Sequence, residues 1–312
     1  MRSLFFGTPE LSVPSLEALA SISTIVGVVC QPDKPVGRGM KLAAPPVKER
    51  ALAMGLPVVQ PLKLRTGEFA QWVRDQNADV ALVIAYGRIL PQDVLDGPRL
   101  GCVNLHASIL PKYRGAAPIT WCIVRGETKT GITLMKMDAG MDTGDMLEIH
   151  ETPIGPDETA GELSARMSKL GGDIVREGLP RFMKGELAPK KQNEADATTA
   201  PILTKEMGRM DWAKPAQSVH DHVRGMNPWP MAFTTLREKR VIVHRTKMLT
   251  GAIAAPVAAK AGTVVLADKS RVVVACAEGH VALERVQLEG RKAVTGAELF
   301  LGRGIAEGDV LG

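Results

Sequence analysis

A carboxamide and an imidazole stand two residues apart near the middle of the chain. Residues 101–111 read GCVNLHASILP, in which Asn104 and His106 follow apolar neighbours that suit a buried strand. On a strand, side chains two residues apart leave from the same face. An imidazole transfers a proton near neutral pH, and an amide NH2 can donate to an oxygen that becomes negative. The pair therefore suits attack on a carbonyl carbon, although a hydrogen-bonded Asn and His at a strand end can also be purely structural.

A glycine-flanked carboxylate is a candidate to join this pair. Residues 138–145 read DAGMDTGD and lie between two predicted strands, with Gly140 and Gly144 on either side of Asp142. Glycine permits tight or left-handed backbone, which can bring the Asp142 carboxylate close to other groups. If Asp142 hydrogen-bonds His106, it orients the imidazole and fixes its tautomer, as an acid does in a catalytic triad.

Alternating apolar runs and amphipathic stretches predict the scaffold that positions these groups. Residues 79–86 form a nearly continuous apolar run, which is typical of a parallel strand buried on both faces. Strands and helices alternate up to the strand that ends at His106, a pattern that indicates a doubly wound, mostly parallel sheet in an α/β fold. Open sheets of this kind bind ligands at the carboxyl ends of their strands. The predicted strands of this part are 3–6, 24–30, 57–60, 79–86, 101–106, 130–137 and 146–150, and the predicted helices are 13–20, 47–54, 69–77, 119–125 and 163–179.

The last third of the chain has a different pattern. Between about residues 185 and 204 the composition shifts to Lys, Gly, Glu, Pro, Asn, Asp and Thr with little apolar periodicity, which indicates an interdomain linker. Short β-like runs separated by turns then predict a small barrel or sandwich. These runs cover residues 232–236, 241–244, 262–266, 271–275 and 281–286. The predicted organisation is one domain at 1–186, a linker at 187–205 and a β-rich domain at 206–312.

Composition excludes several classes of protein. With 45% hydrophobic and 23% charged residues, the 312-residue chain has the balance of a globular protein. Its start has no secretory signal pattern, and no run approaches the ~18 apolar residues of a membrane span. The four cysteines are far apart and form no CxxC, which favours free thiols in a reducing cytoplasm over a disulfide framework or a zinc site. We therefore expect a cytoplasmic protein without a bound metal.

The positive charge is unevenly distributed along the chain. Residues 1–204 hold 23 Lys and Arg against 23 Asp and Glu, whereas residues 205–312 hold 16 against 11, so the net charge of +5 belongs to the last third. A basic surplus confined to one domain is compatible with a polyanionic partner such as RNA.

A long stretch rich in Pro and Gly, residues 31–46, carries the three cations Lys34, Arg38 and Lys41 against the single anion Asp33. A loop of this length without structure of its own is usually a functional lid or a disordered segment. Its charge suits a lid that approaches phosphate, and an ordinary solvated loop is the alternative.

Together these motifs resemble the 10-formyltetrahydrofolate-dependent formyltransferases, and the resemblance covers essentially the whole chain. The motifs of the first part that carry it are NLH at 104–106, SILP at 108–111, YRGAAP at 113–118 and DAGMDTG at 138–144. The opening FGTP, the 34–42 loop with its GRG, the linker and the β-rich tail with NPWP narrow the resemblance to the methionyl-tRNA formyltransferases.

The resemblance implies a fold and a reaction. The fold is a Rossmann-like formyl-transfer domain followed by a C-terminal β-barrel of OB-like topology that helps to hold initiator tRNA. The reaction moves a formyl group from 10-formyltetrahydrofolate, a co-substrate, to the α-amino group of methionyl initiator tRNA. The resemblance also implies a monomer.

The resemblance further implies which residues do the work. The catalytic set is Asn104, His106 and Asp142. The folate segment is Ser108, Ile109, Leu110 and Pro111, where Ile109 replaces the family's leucine with little change in volume. From its placement at the end of the apolar run 79–86, and not from the resemblance, we expect Tyr86 to offer a further wall for the pterin. The lid with Lys34, Arg38 and Lys41 approaches the acceptor end of the tRNA.

Within this reaction each catalytic group has an expected task. His106 takes the proton released as the amine attacks and passes it toward the departing nitrogen. Asn104 donates from Nδ2 to the developing oxyanion. Asp142 orients His106.

Three other interpretations compete with this one. A formyltransferase acting on glycinamide ribonucleotide or on an amino sugar nucleotide shares the catalytic strand, although the purine enzyme resembles the N-terminal domain alone and does not require a basic, β-rich tail. A folate- or RNA-binding protein without catalysis is a second alternative, and the intact Asn104, His106 and Asp142 argue against it. A dehydrogenase is not supported, because the turn after the first strand has one glycine and no GxGxxG.

Overall fold

The structure is a computed structural model that describes residues 1–36, 40–249 and 259–312. The chain divides into two compact units that do not follow chain order. Unit 1 comprises Met1–Pro118, Thr130–Thr152 and Ser164–Pro201, and unit 2 comprises Ile119–Lys129, Pro153–Leu163 and Ile202–Gly312. The predicted domain boundaries at residues 186 and 206 divide the chain into consecutive domains, and they stay a prediction.

The elements that position the site come from the whole chain. In chain order the strands are β1 (Arg2–Gly7), β2 (Thr24–Val29), β3 (Lys34–Val36), β4 (Lys41–Ala43), β5 (Val58–Val59), β6 (Val80–Ile84), β7 (Cys102–His106), β8 (Arg114–Gly115), β9 (Lys129–Lys136), β10 (Met146–Pro153), β11 (Thr199–Ala200), β12 (Ala232–Leu236), β13 (Lys239–Met248), β14 (Val264–Ala267), β15 (Val272–Ala275) and β16 (His280–Leu288). The helices are α1 (Val13–Ile22), α2 (Pro46–Ala53), α3 (Glu68–Asp75), α4 (Gln92–Leu95), α5 (Pro118–Val124), α6 (Ala160–Met183), α7 (Ala216–Gly225) and α8 (Gly296–Leu301). No helix in the described part of the chain combines the length and the apolar character that a bilayer crossing needs.

A seven-stranded, mostly parallel sheet forms the centre of unit 1. Its strand order is β10-β9-β7-β6-β1-β2-β5. The pairs β6–β7, β1–β6, β1–β2 and β2–β5 are parallel, and β9 runs antiparallel to β7. β6 is buried along its whole length, as its continuous apolar run predicts for a strand covered on both faces. The predicted α/β fold with a mostly parallel sheet is confirmed.

Unit 2 is built on a five-stranded antiparallel sheet with the order β12-β13-β16-β15-β14. The end of the chain reaches both edge regions of this sheet. Leu311 forms an antiparallel bridge with Leu236 of β12, and Val310 forms one with Thr263, the residue before β14. These bridges pair part of the backbone at the two edges of the sheet, and covering an edge limits edge-to-edge association. The predicted C-terminal β domain is confirmed.

The Pro- and Gly-rich stretch at 31–46 differs from the irregular loop that its composition predicts. β3 and β4 pair antiparallel within it, with Lys34 opposite Ala43 and Pro35 opposite Leu42. Composition misses this hairpin because each of its strands is only three residues long, too short to show an alternating pattern.

The predicted linker also contains regular structure. β11 pairs in parallel with β8, with Thr199 opposite Arg114 and Ala200 opposite Gly115. Ahead of β11, Lys190 forms an antiparallel bridge with Met146 at the start of β10. We call residues 187–201 the connecting segment. Its polar composition predicts no such pairing, because a two-residue strand has no periodicity.

Candidate active site

The Asn104–His106 pair lies at the carboxyl end of a fully buried strand. β7 sits between β6 and β9, with Asn104 opposite Val83 on one side and opposite Met135 on the other. The side chains of Asn104 and His106 are only 8% and 6% exposed. A strand held by two neighbours fixes both side chains on a rigid element, and that rigidity is what a catalytic pair requires.

Residues 138–145, which we call the acidic bend, connect β9 to β10. Asp142 has a φ of 54°, a left-handed conformation that residues other than glycine adopt rarely. Close packing explains the two glycines beside it. A Cβ on Gly140 would lie 1.9 Å from Thr143 Oγ1, and a Cβ on Gly144 would lie 1.8 Å from the Lys136 carbonyl oxygen.

The acidic bend brings the Asp142 carboxylate against the pair on β7. Asp142 Oδ2 lies 3.5 Å from His106 Nδ1, and Asp142 Oδ1 lies 3.5 Å from Asn104 Nδ2. The backbone N–H of Gly115 donates to Oδ2 at 2.8 Å. The structure therefore brings together the three residues that the sequence selects, although Asn104 and Asp142 are 38 residues apart in the chain. At 3.5 Å the two side-chain contacts are longer than ordinary hydrogen bonds.

The tautomer of His106 is set by a group that the sequence gives no reason to select. His106 Nε2 lies 2.9 Å from the backbone carbonyl oxygen of Tyr113. Because a carbonyl oxygen only accepts, Nε2 carries a proton in either charge state of the ring. In the neutral ring the lone pair is therefore on Nδ1, the atom that faces Asp142. The prediction that Asp142 fixes the tautomer differs from this arrangement, in which the Tyr113 carbonyl fixes it.

A network of three further polar side chains reaches the acidic bend through Gln192, and the sequence reasoning missed it. Arg114 donates to Gln192 Oε1 at 3.0 and 2.8 Å and to both carboxylate oxygens of Glu194 at 2.9 and 2.8 Å. The hydrogen bond with Glu194 raises the pKa of Arg114, and the same bond lowers the pKa of Glu194. Arg114 belongs to the YRGAAP motif, and this motif is the sequence signal that could have identified it. Gln192 and Glu194 lie in a stretch whose composition indicates a linker, so the sequence offers no such signal for them.

The predicted folate segment follows β7 directly. Ser108 is fully buried, and its hydroxyl donates to the Lys112 carbonyl at 2.6 Å. The backbone N–H of Leu110 donates to Thr133 Oγ1, which itself donates to the Ser108 carbonyl. Leu110 packs with Met135 and Met146.

Ile109 and Pro111 are the half-buried members of the predicted folate segment, and the peptide bond between Leu110 and Pro111 is cis. Of the four side chains, Ile109 and Pro111 are therefore the ones that have surface to offer a flat ring. The assignment of these residues to folate stays a prediction.

Tyr86 lies just beyond β6 and belongs to the core. Its ring is 2% exposed and packs edge-on against Phe6, with ring centroids 5.5 Å apart. Burial raises the pKa of its hydroxyl to about 12, and the hydroxyl has no hydrogen-bond partner among the described residues. Its backbone carbonyl accepts from Thr8 Oγ1 and Gln31 Nε2. The contribution of Tyr86 to a folate pocket stays a prediction.

Two of the three predicted lid cations fall on the β3–β4 hairpin. Lys34 and Lys41 are exposed there, whereas Arg38 lies outside the described residues. The base of the hairpin is anchored by Lys48, which donates to Asp33 and to Gln60 Oε1 at 2.8 Å. The hydrogen bond from Lys48 holds the pKa of Asp33 below its usual value.

A metal centre has no candidate in the described part of the chain, where no group of three or more His, Cys, Asp and Glu side chains is placed to hold an ion. The chemistry that the site can carry is that of an imidazole lone pair, a carboxylate and a carboxamide.

Comparison with known proteins shows the family of this chain. The formyl transferase family model matches residues 1–179, and the model of the formyl transferase C-terminal domain matches residues 202–304. The chain belongs to the formyl transferase family. As a formyl transferase it is similar over its full length to the methionyl-tRNA formyltransferase of Sorangium cellulosum (strain So ce56), at 57% identity over 312 residues, with 100% of both chains covered.

Solved structures share the fold of this formyl transferase. The methionyl-tRNA formyltransferase from Clostridium thermocellum matches with a TM-score of 0.57 and 21% identity, covering 82% of this chain and 97% of that one. The sugar 3N-formyl transferase WlaRD matches with a TM-score of 0.67 and 17% identity, covering 94% of this chain and 99% of that one. At such low sequence identities the two structures support the fold of this formyl transferase and do not identify the amine that accepts its formyl group.

Proposed function

We propose that this formyl transferase moves a formyl group from 10-formyltetrahydrofolate to the α-amino group of methionyl initiator tRNA. The observation that carries the proposal is the 57% identity, over the whole of both chains, to a relative named methionyl-tRNA formyltransferase. The likeness includes the C-terminal domain, the part of the chain that carries the basic surplus. The site on β7 supplies the groups that acyl transfer to an amine requires.

His106 acts at Nδ1. As the amine nitrogen bonds to the formyl carbon, it becomes positively charged and must lose a proton. His106 Nδ1 holds the ring's lone pair, because Nε2–H is committed to Tyr113, so Nδ1 takes that proton. It then returns the proton to N10 of the folate as the carbon–N10 bond breaks. The products are the formylated amine and tetrahydrofolate, and no other reactant is consumed.

Asp142 stabilises the imidazolium that forms between these two proton transfers. The 3.5 Å separation from Nδ1 is too long for a strong hydrogen bond in the resting site. Once Nδ1 carries a proton, it becomes a charged donor facing a carboxylate, and charge-assisted hydrogen bonds are shorter and about twice as strong as neutral ones. The Gly115 N–H keeps Oδ2 in place for that contact.

Asn104 is the donor for the oxyanion. Its amide nitrogen lies on the same face of β7 as His106, and Asp142 Oδ1 lies 3.5 Å from it. Loss of a donor of this kind typically raises the barrier by about 3–4 kcal/mol, or roughly 10²–10³-fold in rate.

Both substrates have proposed binding residues. The folate lies against Ser108–Pro111 with Tyr86 behind it, and the lid cations Lys34, Arg38 and Lys41 meet the acceptor end of the tRNA. The domains are 1–186 and 206–312, joined at 187–205. We further propose a monomer that acts in the cytoplasm, where translation takes place.

A panel of acceptors tests the function. Purified protein is incubated with 10-formyltetrahydrofolate and, in separate reactions, with methionyl initiator tRNA, methionyl elongator tRNA, glycinamide ribonucleotide and an amino sugar nucleotide. The proposal predicts formylation of the initiator tRNA with a kcat/KM at least about 10³-fold above that for any other acceptor. Preferential formylation of either small molecule would replace the proposal with one of the alternative formyltransferases.

A further inference from the structure

The connecting segment makes a polar contact with the acidic bend that the reaction scheme does not yet use. Gln192 Nε2 donates to the carbonyl oxygens of Asp142 and Gly144, both at 2.8 Å. Gln192 Oε1 accepts twice from the guanidinium of Arg114. We propose that Gln192 is a positioning residue that holds Asp142 in its working place, an inference that rests on the proposed formyl transfer.

The amide of Gln192 is used to its full capacity. A carboxamide has two N–H donors and two lone pairs on its oxygen, and here both donors and the oxygen are engaged from opposite sides. The orientation of the amide is therefore unambiguous, because the opposite orientation would set its NH2 against the Arg114 guanidinium. Such a contact network fixes the position of a side chain better than packing alone.

The acidic bend needs an external support. Met141 is 57% exposed, the residues from 138 to 140 are exposed as well, and Asp142 has a left-handed backbone. Within the bend, Asp138 Oδ1 accepts from the Gly140 N–H and from Thr143 Oγ1. These internal bonds close the turn, but they do not tie it to the rest of the site.

Two bonds tie Asp142 to the site from opposite ends. The Gly115 N–H holds its carboxylate at 2.8 Å, and the Gln192 NH2 holds its backbone carbonyl at 2.8 Å. The first support lies in the pairing of β8 with β11, because Gly115 is in β8 and lies opposite Ala200. The second comes from the connecting segment, where Gln192 precedes β11. The Arg114–Glu194 ion pair joins the same two stretches of chain. The connecting segment is therefore bonded both to the acidic bend and to the stretch that holds the Asp142 carboxylate.

Two substitutions distinguish the hydrogen bonds that Gln192 makes to the acidic bend from the contacts around Arg114. Gln192→Glu keeps an oxygen for Arg114 but removes both donors to the bend and sets a carboxylate oxygen against two carbonyls. Glu194→Gln is the matched control, because it weakens the ion pair with Arg114 and leaves Gln192 in place. We expect Gln192→Glu to lower kcat by about 10–100-fold, the cost of a small misplacement in an active site, with KM for folate and for tRNA within twofold. Glu194→Gln is expected to keep kcat within about threefold, since the Glu194 side chain is 72% exposed and solvent screens its charge.

A double-mutant cycle with Asp142→Asn distinguishes positioning from a general structural role. If Gln192 acts through Asp142, the glutamate substitution has little further effect on kcat once Asp142 is replaced. Gln192→Met, which is neutral and similar in length, is the second variant should the glutamate fail to fold.

The effect of Gln192→Glu on kcat in the two backgrounds tests the inference. A kcat loss that vanishes in the Asp142→Asn background supports the inference. Wild-type kcat in Gln192→Glu, an equal loss in both backgrounds, or failure of both Gln192 variants to fold would overturn it. If the wild type transfers no formyl group, the proposed function fails and the inference falls with it. If the wild type is active and Gln192→Glu matches it, the inference alone fails.

Discussion

His106 donates through Nε2 to the backbone carbonyl of Tyr113, at 2.9 Å, and therefore turns Nδ1 toward Asp142. This one contact decides which ring nitrogen does the chemistry. It also assigns the two neighbours of the ring different tasks. The Tyr113 carbonyl sets the tautomer, and the Asp142 carboxylate meets the proton when it arrives on Nδ1.

Asp142→Asn tests that division of tasks. An asparagine oxygen in the place of Oδ2 can still accept from the Gly115 N–H and still faces His106 Nδ1, but the side chain is neutral, so it stabilises an imidazolium far less than a carboxylate does. The new NH2 group takes the place of Oδ1, opposite Asn104 Nδ2, where two donors meet. We expect kcat to fall by at least about 10²-fold, as in other sites where the orienting acid becomes an amide, with a melting temperature within a few degrees of the wild type. Steady-state kinetics and calorimetry measure the two effects. Transfer within threefold of the wild type would remove Asp142 from the scheme.

Gly144→Ala tests the shape of the acidic bend. The added Cβ would lie 1.8 Å from the Lys136 carbonyl oxygen, so the bend must move and carry Asp142 with it. We expect a kcat loss of more than about 10-fold. Gly185→Ala is the control, because Gly185 has a φ of 73° and nothing within 4 Å of the added Cβ. That change costs about 1–2 kcal/mol of backbone strain and leaves kcat unchanged. Equal kcat losses in the two variants would show that backbone strain, and not the bend, limits the rate.

The salt dependence of tRNA binding tests the lid. Lys34 and Lys41 stand exposed on the β3–β4 hairpin, and each phosphate contact releases counterions on binding. The double variant Lys34→Ala/Lys41→Ala is expected to reduce the slope of log affinity against log salt by about 1.5, since each contact contributes about 0.7–0.9. Lys169→Ala, an exposed lysine on α6, is the control and leaves the slope unchanged. An unaltered slope in the double variant would contradict the lid assignment.

The buried thiols predict an alkaline limit to stability. Burial raises the pKa of Cys30 to about 11 and those of Cys102 and Cys276 to about 12, from 9.0. The folded thiols stay protonated where unfolded ones ionise, so their contribution to stability is full below about pH 9 and is lost as the pH rises toward 12.

Alkylation measures the same effect, because the thiolate is the reactive form. At pH 8, iodoacetamide is expected to modify these three cysteines at least about 10²-fold more slowly in the native chain than in urea. Mass spectrometry of the digested protein gives the rate for each thiol. Alkylation of Cys102 at its unfolded rate would contradict the burial described for β7.

The main elements could be predicted because their signals are local. The apolar run at 79–86 and the strand that ends at His106 each carry a pattern long enough to identify, and glycines on either side of Asp142 mark a tight turn. The partners of those residues could not be predicted in the same way. The Tyr113 carbonyl belongs to the backbone, so the residue type at position 113 does not indicate that it accepts a hydrogen bond from His106. Gln192 lies in a polar stretch whose only strand has two residues, too few to show a periodic pattern.

Formyl transfer by the His106→Ala variant is the most direct measurement of the central claim. Wild type and variant are mixed, in a single turnover, with 10-formyltetrahydrofolate labelled in the formyl group and with methionyl initiator tRNA, and the label on the tRNA is followed. We predict rapid labelling by the wild type and a rate at least about 10²-fold lower for the variant, with folate binding retained. Labelling by the variant at the wild-type rate would contradict the assignment of this imidazole as the group that moves the proton.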